Sequence, residues 1–257
     1  MPIRIPSRHN PRLQRVVERI NADVELHQLW KCANINAVDR LGMSDHGEVH
    51  IRIISNIALK LLRLLLDAGI EMSVVKNYGL SNNDAEVLAV LAACLHDVGI
   101  AVHRDNHEAH SVPLAYARLR EWLPGIYAEP EATIVTSETL HAIAAHQAEA
   151  RPLTIEAGVV KVADALDMSK GRSRIPFEAG ALNIHAVSAA AVEEVVLKRG
   201  ETKPIRVEVI MNNSAGVFQL DELLKRKLQH STIARYVEVF ATIRGDTEKH
   251  LLEVYSL

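Results

Sequence analysis

Cysteine is scarce in this sequence, and its scarcity excludes two kinds of site. The two cysteines, Cys32 and Cys94, share no spacing typical of a thiolate metal site or a redox pair. No disulfide framework is expected, which favours a reducing compartment. The first residues, MPIRIPSRHNP, lack the apolar segment of a signal peptide, so we expect a cytoplasmic protein.

A long apolar run and an excess of charge of one sign are also missing. The apolar stretches are too short or too interrupted to cross a bilayer, so we expect no membrane partner. The formal net charge of −3 gives no support to general nucleic-acid binding. With 48% hydrophobic and 24% charged residues, the chain has the composition of a globular protein with a sizeable core.

The first two thirds of the sequence predict a helical domain. Apolar periodicity and capping residues place helices at about 11–31, 48–67, 81–99, 106–122, 130–147 and 154–168. The third of these helices has no polar side chain from Val87 to Leu95. We therefore expect it to be a central helix that is buried on all sides.

The pattern changes after about residue 180. The predicted strands are 193–198, 205–211, 217–220 and 251–257, with a turn at 212–214. Two short predicted helices are 221–229 and 231–244. The fold class is therefore mainly α, with residues 1–176 as a helical domain and residues 177–257 as a smaller α+β module. We expect this module to serve oligomerisation, to act as a lid or to be regulatory; a packing extension with no separate role is the alternative.

The pair His96–Asp97 comes directly after the central apolar run. An imidazole and a carboxylate at the end of a buried helix are costly unless a partner satisfies them. A divalent metal would do so, because it binds a neutral imidazole nitrogen and a carboxylate oxygen together. Adjacent side chains on a helix point about 100° apart, so both reach one ion only where the helix ends, and Gly99 is expected to end it. A buried His–Asp hydrogen bond or a C-terminal cap is the alternative.

His50 and Asp164 are candidates for the same site. His50 falls on the core-facing side of the second predicted helix, where a histidine needs a partner; a satisfied core histidine is the alternative. Asp164 lies among small and apolar residues in VVKVADAL. However, Lys161, Asp164 and Asp167 recur every three residues, which would also fit a solvated helix face.

The sequence segments that contain these residues resemble, taken together, the HD-domain superfamily of metal-dependent phosphohydrolases. The matching stretches, DHGEVHIRIISNIALKLL, VLAACLHDVGIAVHRDNHEAHS and GVVKVADALD, form an ordered series over roughly residues 45 to 170. The resemblance implies an HD-type fold for the helical domain and four metal ligands, His50, His96, Asp97 and Asp164. Asp97 and His96 would be central to catalysis.

The resemblance also implies ligands for a second ion, His107 and His146. His146 is preferred to His141 because the two lie about 140° apart around a helix and cannot easily share one ion. His107 would otherwise be a surface residue at a helix start. Three further residues are expected to orient the ligands, namely Asp45, His46 and Asp167.

The implied activity is hydrolysis of a phosphate monoester or diester of nucleotide type. One or two divalent ions would act as cofactor, and a shell of histidine and carboxylate suits Mn, Fe, Co, Ni or Mg without selecting among them. Candidates for binding the substrate phosphate are Arg104, Lys170, Arg172 and Arg174, because cationic side chains match phosphate oxygens. For the last three, an exposed linker between domains is the alternative.

Other functions stay open at this stage. The His-His-Glu and Gly-Tyr-Pro elements of cyclic-di-GMP phosphodiesterases and the acidic pair of alarmone hydrolases are missing, so those two substrates are not supported. A di-iron oxygenase with the same ligands and a nucleotide-sensing binding protein are the alternatives. The expected partners are a small phosphate ester and, in a homo-oligomer, other copies of the chain.

Overall fold

Helices dominate the first two thirds of the protein, as the sequence predicts. A computed structural model describes residues 2–168, 184–244 and 254–256, with only the backbone described in 184–187 and 254–256. The α-helices of the first range are α1 (Pro11–Ala22), α2 (Val24–Asn34), α3 (Glu48–Asp67), α4 (Ser73–Tyr78), α5 (Asn82–Leu95), α6 (His107–Trp122), α7 (Glu131–Ala144) and α8 (Ile155–Ala165). Within the described ranges, no helix combines the length and the hydropathy needed to span a bilayer.

The central position of α5 confirms the interpretation of the apolar run. Every residue from Asp84 to Leu95 is buried, and the helix packs against α1, α3, α4, α7 and α8. Ser81 begins the helix through a capping box with Asp84. Because α5 ends at Leu95, the pair His96–Asp97 lies at its buried end.

The helical part differs from the prediction at a helix break and at an additional helix. The predicted helix 11–31 is broken at Asp23, which has extended backbone and accepts a hydrogen bond from the Leu26 N–H at the start of α2. The same carboxylate accepts a hydrogen bond from the Trp122 indole, so a tertiary contact favours the break. The short helix α4 was not predicted.

The C-terminal part is an α+β unit. It contains α9 (Ile184–Ala191), β1 (Val192–Arg199), β2 (Ile205–Met211), α10 (Val217–Gln219), a π-helical turn (Leu220–Lys225), α11 (Arg226–Gln229), β3 (Val237–Ile243) and β4 (Val254–Ser256). The strand order is β1-β2-β3-β4, in which β2 and β3 are parallel and the other pairs are antiparallel. The fold class is therefore confirmed, while the boundary near residue 176 falls outside the described residues.

Several predictions in this part were wrong. Residues 217–220 are helical rather than a strand, and Asn213 caps a 3-10 turn at Ser214–Gly216 instead of closing a hairpin. The predicted helix 231–244 is mostly the strand β3. Its buried apolar residues Val237, Val239 and Ala241 recur at every second position, which is the period of a strand.

The sheet and the helical part share one core. Buried residues of α3, α5 and α8 belong to the same hydrophobic cluster as buried residues of β1, β2 and β3. Contacts join α3 to β1 and β2, and α8 to α11 and the π-helical turn. The segment 217–229 is consequently held against α8, the helix that carries Asp164.

Candidate metal centre

Six side chains with metal-binding chemistry meet at the buried end of α5. His50 lies on α3, and His96 and Asp97 directly follow α5. His107 is the first residue of α6, His146 lies in the turn after α7, and Asp164 lies on α8. Three groups within this cluster have ligand atoms within 4.8 Å of one another: His50–His96–Asp97, His96–His146–Asp164 and Asp97–His107–His146. All six residues predicted as ligands are thus brought together.

Asp97 lies between two pairs of histidines. Its Oδ2 is 3.3 Å from Nε2 of His50 and 3.2 Å from Nε2 of His96. Its Oδ1 is 3.1 Å from Nε2 of His107 and 3.5 Å from Nε2 of His146. A carboxylate whose two oxygens face different ligand sets has the arrangement needed to bridge two ions.

Asp164 also uses its two oxygens differently. Oδ1 is 3.5 Å from Nε2 of His50 and 3.8 Å from Nε2 of His96, on the same side of the cluster as Oδ2 of Asp97. Oδ2 accepts a hydrogen bond from the ammonium of Lys227, which belongs to α11. We call the His50–His96–Asp164 side the inner half of the cluster and the His107–His146 side the outer half.

All four histidine rings use Nδ1 away from the cluster, at 2.5–3.0 Å from an acceptor. The acceptors are the Asp167 carboxylate for His50, and the carbonyls of Ala93, Arg104 and Ile143 for His96, His107 and His146. A carbonyl oxygen can only accept, so this contact favours a proton on Nδ1 of His96 and His146 and leaves their Nε2 atoms facing the cluster. Metal-binding histidines are oriented in this way by their outer partners.

Two of these Nε2 atoms fit a metal particularly well. In His50 and His96, Nε2 is buried and has no hydrogen-bond partner among the described residues. A buried polar atom left without a partner costs about 1–3 kcal/mol. A divalent ion would satisfy both nitrogens at once, so the residues present fit the ion that their chemistry predicts.

The electrostatics of the cluster favour a cation. Burial raises the pKa of Asp97, but the charge of His96 and the nearby rings of His107, His146 and His50 outweigh burial and hold the pKa well below its usual value. Burial likewise raises the pKa of Asp164, and Lys227 and His96 lower it well below its usual value. Burial lowers the pKa of His96, yet Asp97 and Asp164 raise it to about 10. The carboxylates therefore attract a proton to His96, and a metal ion would take that proton's place.

The comparisons with known proteins agree with this geometry. Residues 49–169 match the family model described as HD domain. The chain belongs to the HD-domain superfamily. It is also similar to "Uncharacterized protein MJ1020" of Methanocaldococcus jannaschii, with 44% identity over 238 residues that cover 93% of this chain and 91% of the relative. No solved structure matches.

The three residues expected to orient the HD-domain ligands all lie beside His50. Asp167 Oδ2 is 2.6 Å from Nδ1 of His50. Asp45 Oδ1 accepts hydrogen bonds from the backbone N–H of His50 at 3.0 Å and of Gly47 at 3.3 Å, which fixes the start of α3. The ring of His46 is 5.3 Å from that of His50, and its Nδ1 hydrogen-bonds the Ser44 carbonyl.

Gly99, which follows the HD pair, has a different role from the one predicted. The α-helix ends at Leu95, four residues earlier, so Gly99 does not end it. A Cβ at Gly99 would lie 2.1 Å from the carbonyl oxygen of His107 and 2.4 Å from the backbone N of Ser111. Ser111 Oγ accepts from Gly99 N–H at 2.8 Å and donates to the His96 carbonyl at 2.6 Å. Gly99 therefore allows α6 to approach closely, which sets His107 against Asp97.

Lys161 is a supporting residue that the sequence did not reveal. Its spacing with Asp164 and Asp167 also fitted a solvated face, yet its side chain is fully buried. Its ammonium donates hydrogen bonds to the carbonyls of Gln147, Ala148 and Ala150. These contacts fix the turn that directly follows His146.

A cavity of about 570 Å³ opens beside the cluster. Four of the predicted ligands line it, together with Arg104, Gln147 and Lys227 and the apolar side chains of Leu41, Met43, Met168 and Leu223. Arg104 Nη1 also lies 2.6 Å from the ring of His107. The other candidates for phosphate binding, Lys170, Arg172 and Arg174, lie outside the described residues.

Proposed function

We propose that this HD-domain protein hydrolyses a phosphate monoester or diester of nucleotide type, using two divalent ions. The observation that carries the proposal is the position of Asp97, whose two oxygens face two different pairs of histidines at 3.1–3.5 Å. One ion would be held by His50, His96, Asp97 and Asp164, and the other by Asp97, His107 and His146. Divalent ions so held polarise phosphoryl oxygens and lower the pKa of a bound water.

The remaining residues of the site are suited to a small organic phosphate. The cavity volume of about 570 Å³ is in the usual range for a site that binds a small molecule. Its lining combines the predicted ligands with the apolar side chains of Leu41, Met43 and Leu223. A phosphate would lie against the ligands and Arg104, whose guanidinium suits phosphate oxygens, while a base or another apolar group would contact the apolar side chains.

A screen of phosphate esters tests this proposal. Protein purified without chelator would be assayed with phosphomonoesters, cyclic nucleotides and dinucleotides, with Mn²⁺ or Mg²⁺ added, and phosphate or nucleotide release would be measured. We expect release that stops when the metal is stripped and returns when it is restored. The same protein stripped of metal is the matched control.

Two results would contradict hydrolysis and support the other functions. Consumption of O₂ with substrate by the iron-loaded protein, without phosphate release, would indicate the oxygenase. Tight nucleotide binding by the metal-loaded protein, without turnover of any ester, would indicate a sensor.

A further inference from the structure

The C-terminal unit contributes a cation to the metal centre. Lys227 belongs to α11, yet its ammonium hydrogen-bonds Oδ2 of Asp164. The side chain is 17% exposed and lines the cavity on the same side as Asp164. A charge this far buried needs a partner, and the Asp164 carboxylate supplies one.

The geometry of Asp164 allows Lys227 to stay beside a bound ion. Oδ1 of Asp164 faces the Nε2 atoms of His50 and His96, while Oδ2 faces Lys227. Ligation through Oδ1 therefore leaves the pair with Lys227 in place. The ammonium has three donors, and among the described residues Asp164 accepts from one of them, which leaves two for an anion in the cavity.

The chain segment that carries Lys227 is fixed on the cavity wall. Gln219, Leu223 and Lys227 recur at every fourth position and all line the cavity. Gln219 Nε2 donates a 2.7 Å hydrogen bond to Ser188 Oγ of α9, and α11 packs on α8. Lys227 therefore lies on a packed helical segment that lines the cavity.

We propose that Lys227 binds a phosphoryl oxygen of the substrate, which makes the C-terminal unit part of the active site. This inference deepens the proposed function and rests on it. Among the described residues that line the cavity, the other cation is Arg104, which contacts His107 of the outer half. The phosphate would therefore lie between a guanidinium beside the outer half and an ammonium beside the inner half.

Phosphate binding to the metal-loaded protein tests Lys227 without requiring turnover. Inorganic phosphate would be titrated calorimetrically into Mn²⁺-loaded wild type, Lys227→Met and Lys227→Arg. Lys225→Met is the matched control, because Lys225 is in the same segment and pairs with Asp221 at 3.1 Å. Manganese affinity and the circular dichroism spectrum would be recorded for each variant.

We expect Lys227→Met to raise the Kd for phosphate about tenfold or more, because a charge-assisted hydrogen bond to the anion is lost. Lys227→Arg should recover most of the affinity, and Lys225→Met should match the wild type. Manganese affinity should stay within about threefold of the wild type, because Asp164 keeps Oδ1 for the ion.

Other results would overturn the proposal. Unchanged phosphate affinity in Lys227→Met would do so, as would a wild type that binds no phosphate when loaded with Mn²⁺. Loss of manganese from a folded Lys227→Met would show that Lys227 positions Asp164 for the ion and is not a phosphate ligand. If phosphate binding depends on Lys227 but no ester is hydrolysed, the role of Lys227 stands and hydrolysis fails.

Discussion

The inner and outer halves of the metal cluster are held in place by different means. His50 and Asp164 lie within helices α3 and α8, which pack on the central helix and on each other. His107 and His146 lie at the first residue of α6 and in the turn after α7. The inner half therefore depends on the hydrophobic core, whereas the outer half depends on a few polar contacts and one close backbone approach. A site built in this way should lose the outer ion first.

Asp97 belongs to both halves, so its removal should have the largest effect. We expect Asp97→Ala to lose most bound metal and to lower hydrolysis by roughly 10³-fold or more, because metal-ion stabilisation of several kcal/mol is lost. The fold should survive, because the buried charge and its ions are removed together. Elemental analysis, initial rates and thermal unfolding check this, with the exposed Asp67→Ala as control. Full activity at saturating metal would refute the bridging role.

Gly99→Ala should damage the outer half through the backbone. The added methyl would clash with His107 and Ser111, which we expect to cost about 1–3 kcal/mol and to move α6 away from Asp97. Urea unfolding and metal stoichiometry measure the two effects. Ser111→Ala removes the hydrogen bonds without a clash and should do less harm. An equal loss in both variants would mean that the close approach is not what matters.

His146→Ala should distinguish the two halves, because we expect it to affect the ion of the outer half alone. We expect the metal content to fall from about two ions per chain to about one, with the inner ion retained, because His146 faces Oδ1 of Asp97. His141→Ala is the control, since His141 lies on α7 and its Nε2 accepts a hydrogen bond from Leu153 N–H. A content of one ion in the wild type, unchanged in His146→Ala, would reduce the site to a mononuclear one.

Lys161→Met should have the smallest effect of the four. It keeps the apolar stem but removes the hydrogen bonds that hold the turn after His146. We expect the outer ion to bind roughly 10–100-fold more weakly, as when other supporting residues of metal sites are lost. Metal titration measures this, and the exposed Lys60→Met is the control. A uniform loss at both ions would show that the halves are not independent.

The helical part was largely predictable because its polar residues interrupt strong apolar patterns. His50 on an inward face and His96–Asp97 after an uninterrupted apolar run are conspicuous against that background, and α3 has the predicted bounds. The supporting lysines were not predictable. Lys161 has the spacing of a solvated face, and Lys227 is brought to Asp164 by tertiary packing that no local pattern records.

The C-terminal part was harder for a physical reason. The predicted helix 231–244 is mostly β3, because the strand character of this segment depends on pairing with the distant β2. The predicted strand 217–220 is helical, because a segment this short fits either structure. The phosphate-ester substrate and the homo-oligomer stay predictions.

The Nδ1 hydrogen bonds of the four histidines also determine how sensitive the orientation of each ring is to mutation elsewhere. In His96, His107 and His146, Nδ1 hydrogen-bonds the backbone carbonyl three residues earlier, at Ala93, Arg104 and Ile143 respectively. A carbonyl is present whatever side chain occupies the position, so substitutions there leave the acceptor in place. In His50, Nδ1 hydrogen-bonds the side chain of Asp167 instead. Of the four rings, His50 is therefore the one that loses its orienting acceptor through a single substitution, such as Asp167→Ala.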